Sequence, residues 1–251
     1  MTQIPLVAQM YTVRQAAAQD LRGALRRVAE LGYAGVELAG TFGLTAAELA
    51  QTLNELNLKG ISAHVPLADL RQNLAREIDY YLAVGIKFLI CPWLPPEQRG
   101  NEADYRALGA ELNRIGATCR ASGLQLCYHH HDFELVRFNG KYALDILLEE
   151  SNPANLQLEV DTYWLKFGGE DPAAYMRRWP GRVPLLHLKD MTATQPVTFA
   201  EVGTGVLDWP GIFAAANAVG VKWYLVEQDA CPGDPFESLR ISLDNLRRML
   251  A

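Results

Sequence analysis

The sequence has little of what marks several large classes of protein. Its four cysteines form no Cys-x-x-Cys pair and no dense cluster, so a disulfide framework is not expected. No apolar run approaches the length of a transmembrane helix, and the first residues lack the basic segment of a secretory signal. The net charge of −6 is opposite to the basic character typical of nucleic-acid-binding proteins. We therefore expect a cytoplasmic protein with reduced thiols and with neither a nucleic-acid nor a membrane partner.

Histidine is also scarce, and its distribution is uneven. Three of the five histidines stand together as His129, His130 and His131. They follow Leu124–Tyr128, a mostly apolar segment typical of a buried strand, and Glu134 comes shortly after them. A strand whose carboxyl end becomes polar and ionisable is how a barrel enzyme builds its active site. This segment is the first candidate for a functional site.

The rest of the chain alternates between strand-like and helix-like segments. No Gly-x-Gly-x-x-Gly follows the first strand, which weighs against a dinucleotide-binding fold. Eight strand–helix units in a chain of 251 residues predict an α/β protein, a single-domain (β/α)8 TIM barrel over residues 1–251. The predicted strands are 4–9, 34–38, 58–64, 86–91, 124–131, 156–160, 184–188 and 222–227. The predicted helices are 15–31, 45–56, 68–84, 103–122, 142–150, 172–179, 209–219 and 235–250.

Ionisable residues follow four neighbouring strands of this predicted barrel. Glu134 follows the fifth strand, Asp161 the sixth, His187 ends the seventh and Glu227 the eighth. Because the carboxyl ends of barrel strands share one face, we expect these side chains to converge. Three carboxylates and one imidazole suit Mn2+ or Mg2+, and Zn2+, Co2+ or Fe2+ are also compatible. The sequence therefore predicts a divalent metal site with room for substrate oxygens.

Several segments resemble the xylose-isomerase-like TIM barrels known as sugar phosphate isomerases/epimerases. The resemblance runs from about Ile4 to the C-terminus, and the segments that carry it are residues 129–134, 159–161, 187–191, 202–208 and 226–229. It implies metal ligands at Asp161, His187 and Glu227. The implied fourth ligand is Glu134, with His129 or His131 as the alternative.

The chemistry of this family adds roles for the other residues. Its members remove a proton beside a carbonyl, and a metal stabilises the resulting enediolate. We hypothesise that Glu134 and Glu227 form an acid/base pair on opposite faces of the substrate. His129, His131 and Lys189 would hold hydroxyl groups or polarise the enolate. The predicted catalytic residues are therefore Glu134, Glu227, His131 and Lys189, and the predicted substrate-binding residues are His64, Trp93, His129 and Trp164.

Other positions have less specific interpretations. Glu159 is expected to face the helical layer. Gly203-Thr204-Gly205 is a weak match to a phosphate cradle, and no arginine or lysine clamp accompanies it. The resemblance alone suggests a homo-oligomer.

The leading hypothesis is a metal-dependent isomerase or epimerase of a keto-sugar or related polyol ketone, with a small-molecule carbohydrate as its partner. A lyase that uses the same enolate is the nearest alternative, either a 3-keto-glycoside eliminase or an inosose-dehydratase-like enzyme. A non-catalytic sugar-binding barrel is a further alternative. The related three-zinc endonuclease barrels fit poorly because this chain has few strand-end histidines and a negative net charge.

Overall fold

Eight parallel strands close into a barrel in the structure, a computed structural model that describes residues 4–251. Each strand pairs with the strands before and after it in the chain, and the first pairs with the last. This topology confirms the predicted TIM barrel. The barrel strands are Leu6–Gln9 (β1), Gly35–Leu38 (β2), Lys59–His64 (β3), Phe88–Cys91 (β4), Gln125–His129 (β5), Leu156–Asp161 (β6), Leu185–Leu188 (β7) and Trp223–Val226 (β8).

Helices surround the barrel, and they are more broken than the sequence pattern suggested. The helices are Arg14–Gln19 (α1), Leu21–Leu31 (α2), Ala46–Glu55 (α3), Leu67–Gln72 (α4), Leu74–Val84 (α5), Glu102–Ala121 (α6), Ala143–Glu149 (α7), Thr162–Phe167 (α8), Pro172–Met176 (α9), Trp209–Val219 (α10) and Pro235–Met249 (α11). None of the helices within residues 4–251 has the length and apolarity needed to cross a bilayer.

Local hydrogen bonding explains where several helices begin and end. The predicted helix 15–31 is split because Asp20 adopts an extended backbone and its side chain accepts the N–H of Gly23, which caps α2. The predicted helix 68–84 is likewise split, at Asn73. Thr45 and Glu48 form a capping box at the start of α3.

The barrel interior places apolar and polar layers one above the other. Side chains two residues apart on a strand point to the same face. Val7, Cys127, Leu185 and Leu225 belong to a buried apolar cluster. Two residues further along the same strands come four buried polar residues, which are Gln9, His129, His187 and Glu227. The fold therefore puts a polar layer directly above an apolar floor, toward the carboxyl ends of the strands.

Candidate active site

Buried histidines and carboxylates meet at the carboxyl ends of the barrel strands. His129, Asp161, His187 and Glu227 each offer a ligand atom within 4.8 Å of the others, and we call these four residues the mouth cluster. A second set, His64, His129, Glu159 and His187, meets the same distance criterion. Two histidines are common to both sets, so the two sets form one continuous network.

The sixth strand contributes two carboxylates to this network. Asp161 ends β6 and caps α8, since its Oδ1 accepts the N–H of Trp164 at 3.0 Å. Glu159 lies two residues earlier and therefore faces the same side of the strand. Its Oε2 is 3.3 Å from Nε2 of His64 and 3.1 Å from Nε2 of His187. The prediction that Glu159 faces the helical layer is wrong.

Glu37 on β2 provides the other inner carboxylate. Its Oε1 lies 2.8 Å from Nε2 of His187 and 3.0 Å from Nε2 of His64, and it also accepts a hydrogen bond from Gln9. We call Glu37 and Glu159 the inner carboxylates. Burial raises the pKa of Glu37, but the charges of His64 and His187 outweigh it and hold the pKa well below its usual range.

Opposite charges set the protonation of the mouth cluster. Burial lowers the pKa of His187, but Glu159 and Glu227 outweigh burial and hold it well above its ordinary value. Nδ1 of His187 lies 2.7 Å from Oε2 of Glu227. Burial raises the pKa of Glu227, but the charges of Lys189 and His187 dominate and keep it well below its usual range. Glu227 is therefore an ionised carboxylate at neutral pH.

Lys189 is a buried cation among the carboxylates. Its Nζ lies 3.0 Å from Oδ2 of Asp161, 2.7 Å from Oε2 of Glu227 and 2.8 Å from Oδ2 of Asp229. Burial lowers its pKa, but these carboxylates outweigh burial and hold the pKa well above the ordinary value. Burial raises the pKa of Asp161 to about 6, against the opposing charge of Lys189.

Glu134 does not take part in the mouth cluster. Its carboxylate accepts hydrogen bonds from the Tyr128 hydroxyl at 2.5 Å and from the backbone N–H of His131 at 2.8 Å. Burial raises the pKa of Glu134 to about 7. His129, the alternative to Glu134 as predicted fourth ligand, is the residue that lies with Asp161, His187 and Glu227 in the mouth cluster. The turn Phe133–Leu135 holds Glu134 against the chain that precedes it and away from the cluster.

A cavity of about 420 Å³ opens above the cluster. His64, Trp93, His129, His131, Lys189 and Glu227 line it, which brings together six residues with a predicted role. Four further predicted residues are not part of its lining among residues 4–251, namely Glu134, Asp161, Trp164 and His187. The Trp164 ring packs against His131, with ring centres 5.2 Å apart. Trp164 therefore supports the wall from behind.

The upper cavity walls differ from the floor. Tyr11, Ala39, Gly40, Pro66, Pro92 and Trp93 supply apolar surface, whereas Lys189, Glu227 and Asp229 are charged. Trp93 is 47% exposed, and the guanidinium of Arg99 lies over its ring, 4.9 Å from the ring centre. Sugar rings present apolar C–H faces as well as hydroxyls, so this division suits a carbohydrate-sized polar molecule with an apolar face.

The loop after β7 is organised by Asp190 rather than by a phosphate. The buried Asp190 carboxylate accepts five hydrogen bonds at 2.8–3.2 Å. The donors are the backbone N–H groups of Met191, Gly203, Gly205 and Leu207 and the indole N–H of Trp209. A Cβ on Gly205 would lie 2.2 Å from the carbonyl oxygen of Met191. Gly203 and Gly205 thus serve loop closure, and their amides are not free to cradle a phosphate.

The mouth cluster has the donor chemistry of a divalent metal site. Four carboxylates (Glu37, Glu159, Asp161 and Glu227) are at most 4% exposed, and Lys189 is a single permanent cation among them. Buried charges need compensation. Oδ2 of Asp161 accepts no hydrogen bond of good geometry within residues 4–251, although the Lys189 ammonium lies 3.0 Å away. Two imidazole nitrogens and two carboxylates fit Zn2+, Mn2+, Fe2+ or Co2+.

Two residues of the network were missed by reasoning from the sequence. Glu159 was recoverable, because strand alternation places it on the face of Asp161. Glu37 lies far from His187 in the chain, and nothing in the sequence indicates their contact. His130 is buried, and its Nε2 accepts the backbone N–H of Asp161 at 3.1 Å.

Comparison with known proteins gives a consistent picture. Residues 25–249 match the model of the xylose isomerase-like TIM barrel family. A relative named inosose dehydratase, from Geobacillus kaustophilus, is 26% identical over 267 residues, covering 90% of this chain and 86% of the relative. Among solved structures, a sugar phosphate isomerase/epimerase from Parabacteroides distasonis superposes with a TM-score of 0.83 at 23% identity, covering 98% of this chain and 94% of that one. The IolI protein with a bound zinc atom superposes with a TM-score of 0.79 at 13% identity, covering 98% of both chains.

Proposed function

Because the chain belongs to the xylose isomerase-like TIM barrel family, we propose that it is a metal-dependent isomerase or epimerase. Its substrate would be a keto-sugar or a related polyol ketone, and its reaction would start by removal of the proton beside the carbonyl. The observation that carries this proposal is the mouth cluster, in which four candidate ligands from four strands meet and two of them, His129 and Glu227, line a cavity. The zinc atom in the IolI structure supports the metal site, and the inosose dehydratase relative supports a polyol ketone as the substrate class of either candidate reaction.

In this proposal the metal ligands are His129, Asp161, His187 and Glu227. A divalent ion held there would act as a Lewis acid that stabilises negative charge on the substrate oxygens. Two nitrogen ligands favour Zn2+, Mn2+, Fe2+ or Co2+ over Mg2+, which prefers oxygen. This modifies the expectation from the sequence, in which three carboxylates favoured Mn2+ or Mg2+.

Glu227 is the proposed base. It lines the cavity, and the neighbouring charge of Lys189 helps to keep its carboxylate ionised at neutral pH. An ionised carboxylate at hydrogen-bond distance from a carbon acid can accept its proton. The ammonium of Lys189 and the ring of His131 also line the cavity. They are the proposed groups that bind substrate hydroxyls and donate a proton back.

A dehydratase is the second candidate, and one observation favours it. An epimerase that works with two bases needs proton-exchanging groups on opposite faces of one carbon. The predicted pair was Glu134 and Glu227, but Glu134 is bonded to Tyr128 and His131 outside the cavity lining. Elimination of water needs one base and one acid, which Glu227 with Lys189 or His131 would supply.

The test combines metal analysis with proton exchange in D2O. We expect about one equivalent of transition metal in the wild type and its loss in His187→Ala. Incubation with a panel of keto-sugars and polyol ketones should then show deuterium at the carbon beside the carbonyl. Glu227→Gln should slow this exchange by roughly 10²–10⁴-fold. Asp145→Asn, a buried carboxylate that bonds Tyr175 on the helical layer, is the matched control.

Product analysis separates the two candidates. An isomerase or epimerase returns a product of unchanged mass, whereas a dehydratase returns one lighter by a water molecule. If Glu227→Gln exchanged protons at the wild-type rate, the assignment of the base would be wrong. If the wild type bound no metal even after incubation with Mn2+, Zn2+ or Co2+, the proposal of a metal-dependent enzyme would be wrong. A non-catalytic sugar-binding barrel would then be the better interpretation.

A further inference from the structure

The two histidines of the mouth cluster each present a second ring nitrogen to the inner carboxylates. Nδ1 of His187 faces Oε2 of Glu227 at 2.7 Å, and its Nε2 faces Oε1 of Glu37 at 2.8 Å. His129 is reversed. Its Nε2 faces Oδ2 of Asp161 at 3.8 Å, and its Nδ1 lies 3.2 Å from Oε2 of Glu159. Each ring therefore lies between a carboxylate of the mouth cluster and an inner carboxylate, and the two rings use opposite nitrogens for these contacts.

A neutral imidazole carries one proton, on one of its two nitrogens. A ring that gives one nitrogen to a metal must therefore hold its proton on the other. In His187 that proton would be on Nε2, which faces Glu37, and in His129 on Nδ1, which faces Glu159. Nδ1 of His129 has no hydrogen-bond partner within residues 4–251, so a small rotation toward Glu159 would complete its bonding.

We propose that Glu37 and Glu159 are positioning residues that select opposite tautomers of the two histidine ligands. Glu37, at 2.8 Å, and Glu159, at 3.1 Å, hold His187 with its proton on Nε2, and Glu159 also holds His129 with its proton on Nδ1. The nitrogens that face Asp161 and Glu227 are then both free to bind a metal. This inference rests on the proposed metal site but not on the identity of the substrate.

The burial and the hydrogen-bond partners of the inner carboxylates suit them to position the two histidine rings. Both side chains are fully buried, so their orientation is set by their partners rather than by water. Glu37 is held by Gln9, and Glu159 by His64. Carboxylates that accept the distal N–H of a metal-bound histidine fix the orientation of the ring and raise its basicity. The metal affinity of the mouth cluster should therefore depend on residues that do not touch the metal.

The first measurement is Co2+ affinity without substrate, determined by competition with a chromophoric chelator. Glu37→Gln and Glu159→Gln should each weaken Co2+ binding roughly 10–100-fold, as is usual when the partner of a histidine ligand is removed. Asp145→Asn should bind Co2+ as the wild type does. Far-ultraviolet circular dichroism would show that each variant is folded.

The second measurement is the 15N spectrum of histidine-labelled, Zn2+-loaded protein, in which the five rings report which nitrogen carries a proton. The wild type should show Nε2–H for His187 and Nδ1–H for His129. Glu37→Gln should disturb the His187 signals and leave those of His129 unchanged. Glu159→Gln should disturb both rings, because Oε2 of Glu159 lies 3.1 Å from Nε2 of His187 and 3.2 Å from Nδ1 of His129. A merely structural role would not produce this selective pattern.

Two results would overturn the inference. One is wild-type Co2+ affinity in both folded variants. The other is binding of two equivalents of Co2+ with loss of only one in Glu159→Gln, which would make the inner carboxylates ligands of a second metal. Failure of the proposed function looks different, because the wild type would then bind one equivalent of Co2+ but exchange no substrate protons.

Discussion

Replacement of Asp190 by asparagine should destabilise the protein strongly. The carboxylate accepts two N–H groups at Oδ1 and three at Oδ2. An asparagine side chain has the same shape, but one oxygen becomes an NH2 group that cannot accept these bonds. In its better orientation, asparagine keeps the three donors of the Oδ2 side satisfied. Its NH2 group then faces the backbone N–H groups of Met191 and Leu207.

The magnitude follows from these two buried donors. Each unsatisfied buried N–H costs about 1–3 kcal/mol, so Asp190→Asn should lower the free energy of unfolding by about 2–6 kcal/mol. Urea denaturation followed by circular dichroism would measure this loss, provided that the slope with urea concentration is unchanged. Because Trp209 donates its indole N–H to Asp190, its fluorescence would report on the loop.

A matched control lies nearby. Asp208 caps α10 by accepting the N–H of Gly211 at 3.2 Å, and asparagine caps helices about as well as aspartate. Asp208→Asn should therefore change the free energy of unfolding by less than about 0.5 kcal/mol. If Asp190→Asn also cost less than about 1 kcal/mol, the argument that Asp190 organises this loop would be refuted.

Three further predictions concern other parts of the molecule. Gly116→Ala should lower the free energy of unfolding by about 1–3 kcal/mol, because the new Cβ would lie 2.1 Å from the carbonyl oxygen of Asn155. Gly233 has open space around it, so Gly233→Ala is the control in the same urea assay. Burial raises the pKa of Glu134 to about 7, so the free energy of unfolding of the wild type should fall as pH rises from about 4.5 to 7. Urea titrations should show the free energy of unfolding of Glu134→Gln rising by about 3 kcal/mol relative to the wild type over this range. A difference between the two proteins that did not depend on pH would contradict this. Trp93→Ala should raise the KM for the substrate about tenfold without changing metal content, whereas an unchanged KM would exclude ring stacking.

The local sequence pattern was sufficient to predict most strands and helices of the fold. The alternation of apolar strands and amphipathic helices predicted eight units and a closed barrel, and the structure contains that barrel. The predicted helix 209–219 coincides with α10, because Asp208 caps its start and Gly220 adopts a left-handed conformation at its end. Such signals act over a few residues and can be recognised from sequence alone.

The helix breaks show where local patterns compete. Apolar spacing favoured one helix over residues 15–31, but Asp20 forms a cap with Gly23 and interrupts it. Both signals are present in the sequence, and their relative strength depends on how the flanking helices pack against the barrel. The short helix α8 was missed because it begins directly at Asp161, where the sequence pattern pointed to a site rather than to a helix.

The sequence by itself determined which strands end in ionisable residues, and convergence of strand ends in a barrel predicts a polar site there. Only the tertiary structure decided which of these side chains meet. Glu134 is near the site in sequence but bonds to Tyr128, whereas Glu37 lies far from His187 in the chain and contacts its ring. The physical reason is that residue spacing specifies the face of a strand, while the relative register of all eight strands and the turn after each one set the distances between side chains.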